Sequence, residues 1–160
     1  MMMSHPIRRA YADTSVFGGV FDEEFHETSE AFFELVRAGR FVLLVSDIVR
    51  REIELAPAPV KDYFSSLLAY MQLVPFDAKV LALRDAYVTT GIVGPQWSDD
   101  AGHVAAASVA GADLIVSWNF RHIVHFDKIR LYNAVNALYF YHPLEIRSPA
   151  EVIDYEDEDA

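Results

Sequence analysis

Residues 96–123 read QWSDDAGHVAAASVAGADLIVSWNFRHI. Two adjacent carboxylates, Asp99 and Asp100, open a run made almost wholly of Ala, Val and Gly, and that run leads into the bare apolar triplet at 114–116. A helix that is apolar all round and small-sided belongs in the interior, pressed close against another layer. An apolar run without alternation is a strand covered on both faces, as in parallel sheets. The strand stops at Ser117, and Trp118 and Asn119 follow. Helix, buried strand and polar strand end together read as part of a βαβ unit.

The same pattern extends outward. Residues 41–45 (FVLLV) form a second bare apolar run ending at Ser46, and 8–12 is a short strand ending at Asp13. Helices are expected over 23–38 with Gly39 as C-cap, 47–55, 60–68 after two prolines, 78–89, 99–110 and 128–139. A short strand at 144–146 closes the sheet. The fold class is therefore α/β, in three layers with a central, mostly parallel sheet. In such sheets ligands bind beyond the carboxyl ends of the strands. Here those ends carry Asp13-Thr14-Ser15, Ser46 and Ser117-Trp118-Asn119.

The bulk numbers agree. The chain has 160 residues, 52% of them apolar, enough for one domain with a sizeable core. We expect a single domain over 1–150, without repeats or linkers. The formal charge is −11, and six acids lie in the last ten residues, so 151–160 reads as a solvated acidic tail. Without those six the charge falls from −11 to −5, which argues against non-specific nucleic-acid binding through a broad basic surface. There is no cysteine, hence no disulfide framework and no thiol nucleophile. No stretch is long and apolar enough to span a membrane, and the first residues lack a signal core, so a cytoplasmic protein is expected.

Three carboxylates stand out by position. On the helix after the second strand, DIVRREIELA, Ile48, Val49, Ile53, Leu55 and Ala56 define the buried face, and Glu52 falls in the middle of it. An unpaired carboxylate there is costly, so Glu52 either pairs with an arginine or faces a metal. Asp100 shares a stripe with Val104, Ala107 and Gly111, while Asp99 is placed to cap the helix; both acids otherwise serve the helix dipole. Asp13 follows the first strand, where a turn or cap role is the alternative. A set of hard oxygen ligands of this kind suits Mg²⁺ or Mn²⁺.

With "AYADTSVF", "LLVSDIVRREI", "SDDAGHVAAASVAGADLIVSWNFRHI" and "IRSPAEVI" in this order, the chain resembles a PIN domain, the family that includes the VapC-like toxin ribonucleases of bacterial toxin–antitoxin pairs. The resemblance implies an α/β/α fold and an acidic pocket that binds Mg²⁺ or Mn²⁺ and cuts RNA phosphodiester bonds. It implies that Asp13, Glu52 and Asp100 are the metal-holding acids, with Asn119 where a fourth acid is common. Thr14, Ser15 and Ser117 match small polar positions that line such pockets. The partners implied are an RNA substrate, an antitoxin and a second copy of the chain, with no membrane.

Other residues have two readings each. His103 and Asp99 lie near enough to Asp100 on the helix to reach the pocket, and Arg121 is placed to meet a phosphate. Trp118 and Phe120 either stack on a base or anchor the loop, the second being the simpler. The pair His122 and His125 has a spacing that suits zinc, but no cysteine or HExxH pattern accompanies it, so ordinary loop histidines are expected. An aspartyl-phosphate mechanism through Asp13 fits poorly, because Ser15 stands where that chemistry places a second acid. The non-enzymatic alternative is a PIN-like protein-binding module disarmed by Asn119.

Overall fold

The computed structural model describes residues 6–158; the first five residues, part of the stretch read as lacking a signal core, and the last two of the acidic end lie outside them. Five strands form one sheet in the order β3-β2-β1-β4-β5. They are β1 (Arg8–Ala12), β2 (Phe41–Ser46), β3 (Met71–Val74), β4 (Leu114–Val116) and β5 (Glu145–Arg147). Every pairing is parallel, with Ala10 opposite Leu43 on one side and opposite Leu114 on the other. The α/β expectation holds, and the two bare apolar runs are β2 and β4 beside the central strand, where both faces are covered.

Helices connect the strands. β1 leads through α1 (Thr14–Gly19) and α2 (His26–Arg37) to β2, and β2 through α3 (Asp47–Glu54) and α4 (Ala58–Ser66) to β3. From β3 the chain runs through α5 (Ala78–Thr90) and α6 (Ser98–Val109) to β4, then α7 (Phe126–Leu138), β5 and α8 (Pro149–Glu158). α1 packs on α2 and α4, and α2 on α8; α5 packs on α6 and α7. The strand order reverses between β1 and β4, and a crevice opens there at the strands' carboxyl ends.

α6 lies as deep as its composition requires, with every residue from Ala101 to Ser108 buried. Gly102 marks the closest approach: a Cβ there would sit 3.2 Å from the Phe76 ring and 3.4 Å from Ile48. Gly39 ends the turn after α2 with φ of 80°, a conformation that glycine adopts without strain.

Three elements differ from expectation. α1 is not among the expected helices, because its paired glycines lower helix propensity. β3 was missed as well; it is an edge strand on which Gln72 and Leu73 are exposed, so no apolar pattern marks it. The acidic end is not a solvated tail up to residue 158. It is α8, docked on α2 with Val152 buried. Ser148 and Glu151 cap it reciprocally: Glu151 N donates to Ser148 Oγ at 3.2 Å and Ser148 N to Glu151 Oε1 at 3.1 Å. Glu156 accepts from Arg8 and Arg40, and the Arg8 guanidinium lies 4.9 Å from the Tyr155 ring centroid. Among the described residues no helix is long and apolar enough to cross a membrane.

Candidate active site

The crevice between β1 and β4 gathers the polar strand ends. Asp13 follows β1 directly and is 4% exposed. It occupies the N-cap position of α1 but makes no side-chain cap bond. Its carboxylate instead accepts from Ser15 Oγ at 2.6 Å and from Ser117 Oγ, across the switch point, at 2.7 Å. Burial raises its pKa; the His103 charge and the two hydroxyl donors oppose that shift without cancelling it, and the Glu52 charge adds to it.

Glu52 reaches in from α3. Its Oε1 accepts from Thr14 Oγ1 at 3.0 Å and faces His103 Nε2 at 2.7 Å. Burial pushes this carboxyl up, but the His103 hydrogen bond and charge, with Thr14 and Arg51, outweigh burial and hold it below the usual range. The inward-facing glutamate thus has a partner that was not weighed from the sequence: a histidine, and not an arginine.

His103, on α6, is 3% exposed. Its Nδ1 lies 2.9 Å from the Tyr11 hydroxyl, which in turn lies 2.7 Å from Ser46 Oγ. Since a carboxylate only accepts, Nε2 carries the proton shared with Glu52. Burial pulls the His103 pKa down, yet the bond to Glu52 and the charges of Asp13, Glu52 and Asp100 raise it above the ordinary value. One buried imidazole thus bonds Glu52 and lies within electrostatic reach of Asp13 and Asp100.

Asp100 stands at the start of α6. Its Oδ2 accepts from His122 Nδ1 at 2.7 Å. Asp99 is exposed, and among the described residues it forms no hydrogen bond or ion pair with this site. It is not the N-cap either, since α6 begins at Ser98 after Trp97.

The loop after β4 is built by its own polar groups. Asn119 N donates to Ser117 Oγ at 2.9 Å, and Asn119 Oδ1 accepts from His122 N at 2.9 Å. The Asn119 amide oxygen thus shapes the turn, and the side chain delivered to Asp100 is His122. Sequence reasoning set His122 aside as a loop histidine; its contact with Asp100 depends on a turn that no periodicity announces. Trp118 anchors the loop, stacked on Phe25 at 4.1 Å between centroids and donating through Nε1 to Ser29 Oγ at 2.8 Å. Phe120 is exposed, 6.0 Å from the Trp118 centroid. The Arg121 guanidinium lies 5.2 Å from the Trp97 centroid, and among the described residues it forms no ion pair with the three carboxylates. His125 does not join a zinc set.

Among the described residues, no three Asp, Glu or His side chains are grouped as a ready-made metal-binding set. The donors nevertheless fit a divalent cation in kind and in charge. Three carboxylates stand near the carboxyl ends of the strands, and the most buried of them, Asp13, accepts from two hydroxyls and forms no ion pair among the described residues. The fit is one of chemistry; the histidine contacts to Glu52 and Asp100 must loosen for a cation to be held by all three.

No protein-family model and no curated protein matches the chain. Solved structures do resemble it. The structure of FitAB bound to an IR36 DNA fragment shares 15% identity at a TM-score of 0.58, over 88% of this chain and 94% of that one. FitAcB from Neisseria gonorrhoeae shares 14% identity at 0.55, over 88% and 97%. VapBC2 from Rickettsia felis, bound to a DNA fragment from their promoter, shares 14% at 0.54, over 88% and 98%. At such identities the likeness is one of fold, and the chain has the PIN-like α/β fold found in these toxin–antitoxin complexes.

Proposed function

We propose that the chain is a Mg²⁺- or Mn²⁺-dependent endoribonuclease that hydrolyses RNA phosphodiester bonds, and that it serves as the toxin of a toxin–antitoxin pair. The observation that carries this reading is the placement of Asp13 after β1, Glu52 on the helix after β2 and Asp100 at the start of α6, with Glu52 bonded to the buried His103 and Asp13 bonded to Ser117 across the sheet's switch point. Asp13, Glu52 and Asp100 are the residues that would hold the cation. When bound, the ion supplies Lewis acidity for water and for the phosphate, and offsets charge on the leaving oxygen.

The chain's own residues do the rest. Ser15 and Ser117 orient the two oxygens of Asp13. His103, held by Tyr11 and Ser46, fixes Glu52 and balances the surplus of negative charge. Thr14 fixes Glu52 from the other side. His122 holds Asp100 at the mouth. An antitoxin, supported by the complexes whose fold the chain shares, and a second copy of the chain are the protein partners of this reading, and the cytoplasm is its place of action.

A second reading has an observation of its own. Each of the three carboxylates already has a protein donor, and among the described residues no three acids or histidines are grouped for a metal. That favours a catalytically weak or inactive PIN-like binding module. Incubation of mixed RNA with the protein and Mn²⁺ separates the two. The nuclease reading expects cleavage that EDTA stops and that Asp13→Asn lowers by more than about 100-fold. Intact RNA at millimolar Mg²⁺ and Mn²⁺ would leave the binding module.

A further inference from the structure

A second cleft opens beside the acidic crevice, and it has the opposite character. It holds about 410 Å³ and is lined by Trp97, Arg121, His122, Lys128, Gln96 and the backbone of 91–94. That volume is within the range of small-ligand sites. The indole of Trp97 is 37% exposed, though it is one of the largest apolar side chains in the molecule. It already receives a flat ring and a cation: the His122 imidazole at 4.6 Å between centroids, tilted by 35°, and the Arg121 guanidinium at 5.2 Å. Lys128 donates Nζ to the Ile92 carbonyl at 2.6 Å, which pins its charge at the cleft. Among the described residues neither Arg121 nor Lys128 is paired with a carboxylate. On a chain of net charge −11, two cations without carboxylate partners beside a part-exposed indole form a local exception.

We infer that this cleft is a nucleotide subsite for single-stranded RNA, in which Trp97 stacks on a base and Arg121 and Lys128 meet the adjoining phosphate. Aromatic faces take bases of any sequence, and neighbouring cations track the backbone; the two together are the usual means of holding a single strand. His122 sets the position of the subsite. The ring that packs on Trp97 is the ring whose Nδ1 lies 2.7 Å from Asp100. A nucleotide in the cleft is therefore next to the one whose phosphate faces the carboxylates. The ligand class rests on the nuclease reading; the cleft does not.

The test is fluorescence anisotropy of a labelled hexauridylate with wild-type protein in EDTA, so that no strand is cut. Trp97→Leu is expected to weaken binding about 5- to 100-fold, the worth of one base stack. Trp97→Phe should recover most of that loss. Arg121→Ala, at an exposed position, is expected to weaken binding several-fold. It should also lower the slope of log K against log salt by about 0.7. Wild-type affinity in both Trp97→Leu and Arg121→Ala, no binding by the wild type, or equal binding of a duplex would overturn the subsite. Parallel cleavage assays with Mn²⁺ keep the two readings apart. Cleavage with an unchanged KM in both variants removes the subsite and keeps the nuclease. Binding that needs Trp97 and Arg121 without any cleavage keeps the subsite and removes the nuclease.

Discussion

The crevice contains two acid–histidine pairs of the same length, and they sit in different surroundings. Glu52 and His103 meet at 2.7 Å, and so do Asp100 and His122. His103 belongs to a buried chain that runs from Ser46 through Tyr11 to Glu52 and Thr14. Two helices, two strand ends and the core fix it. His122 sits in the loop after β4, held by the Asn119 turn and packed on the half-exposed Trp97. Both imidazoles are buried, and the Glu52 side chain is 39% exposed against 24% for Asp100; what differs is the anchoring, to core strands through Tyr11 in the first pair and to a loop in the second. The same chemical pair is therefore tied to the core in one place and to a loop in the other.

The largest expected effect tests what the pairs share. If both acids serve one hydrolytic site, Glu52→Gln and Asp100→Asn each lower RNA cleavage by more than about 100-fold, read as initial rates with Mn²⁺. Full activity in either variant would leave that acid with a structural role only.

Stability separates the pairs. His103→Ala opens a cavity and strips partners from the Tyr11 hydroxyl and Glu52, at a cost of about 3 kcal/mol. His122→Ala removes the Asp100 hydrogen bond and the packing on Trp97 but leaves the core untouched, for about 1.5 kcal/mol. Urea denaturation measures both, and equal losses would erase the distinction between core and loop anchoring.

The pH dependence of folding sharpens it further. His103 titrates above its unfolded value, so its contribution is complete below the unfolded pKa and is lost as pH rises through the raised one. Glu52 titrates below its unfolded value, so its contribution is present above the unfolded pKa and is lost as pH falls through the lowered one. The pair thus supports the fold most strongly between the ordinary carboxyl and imidazole pKa values. His103→Gln should flatten the alkaline decline in urea midpoints, and an unchanged decline would assign it to other groups.

The smallest effect has the opposite sign. Asp13 titrates above its unfolded value, so ionising it in the fold opposes stability once pH exceeds that unfolded value. At neutral pH, Asp13→Asn should therefore raise stability by about 1 kcal/mol, a few degrees of melting temperature, while cleavage falls. A lower melting point would mean that the charge of Asp13 is fully compensated.

Much of this was legible in the sequence wherever burial leaves a mark on composition. The bare runs of β2 and β4, and the small-sided α6, announce a parallel sheet with a helix pressed on it. Glu52 and Asp100 stand out because helical geometry sets carboxylates on apolar faces, and Asp13 because it ends a strand. The rest depends on relations that no local pattern carries. β3 is an edge strand with little burial. α8 hides its docking behind solvent-facing acids, although Ser148 and Glu151 at capping-box spacing and the apolar Val152 were available signs. His122 reaches Asp100 only because Asn119 turns the loop, and Trp97 opens a cleft only because α6 begins after it. Sequence periodicity reports which faces are inside; it does not report which loops meet.

The central claim is that Asp13, Glu52 and Asp100 act as one cation site despite their histidine contacts. Calorimetric titration of Mn²⁺ into the wild type and into Asp13→Asn tests it most directly. The account predicts saturable binding by the wild type that disappears in the variant. No heat from the wild type at millimolar Mn²⁺, or equal binding by both proteins, would contradict it.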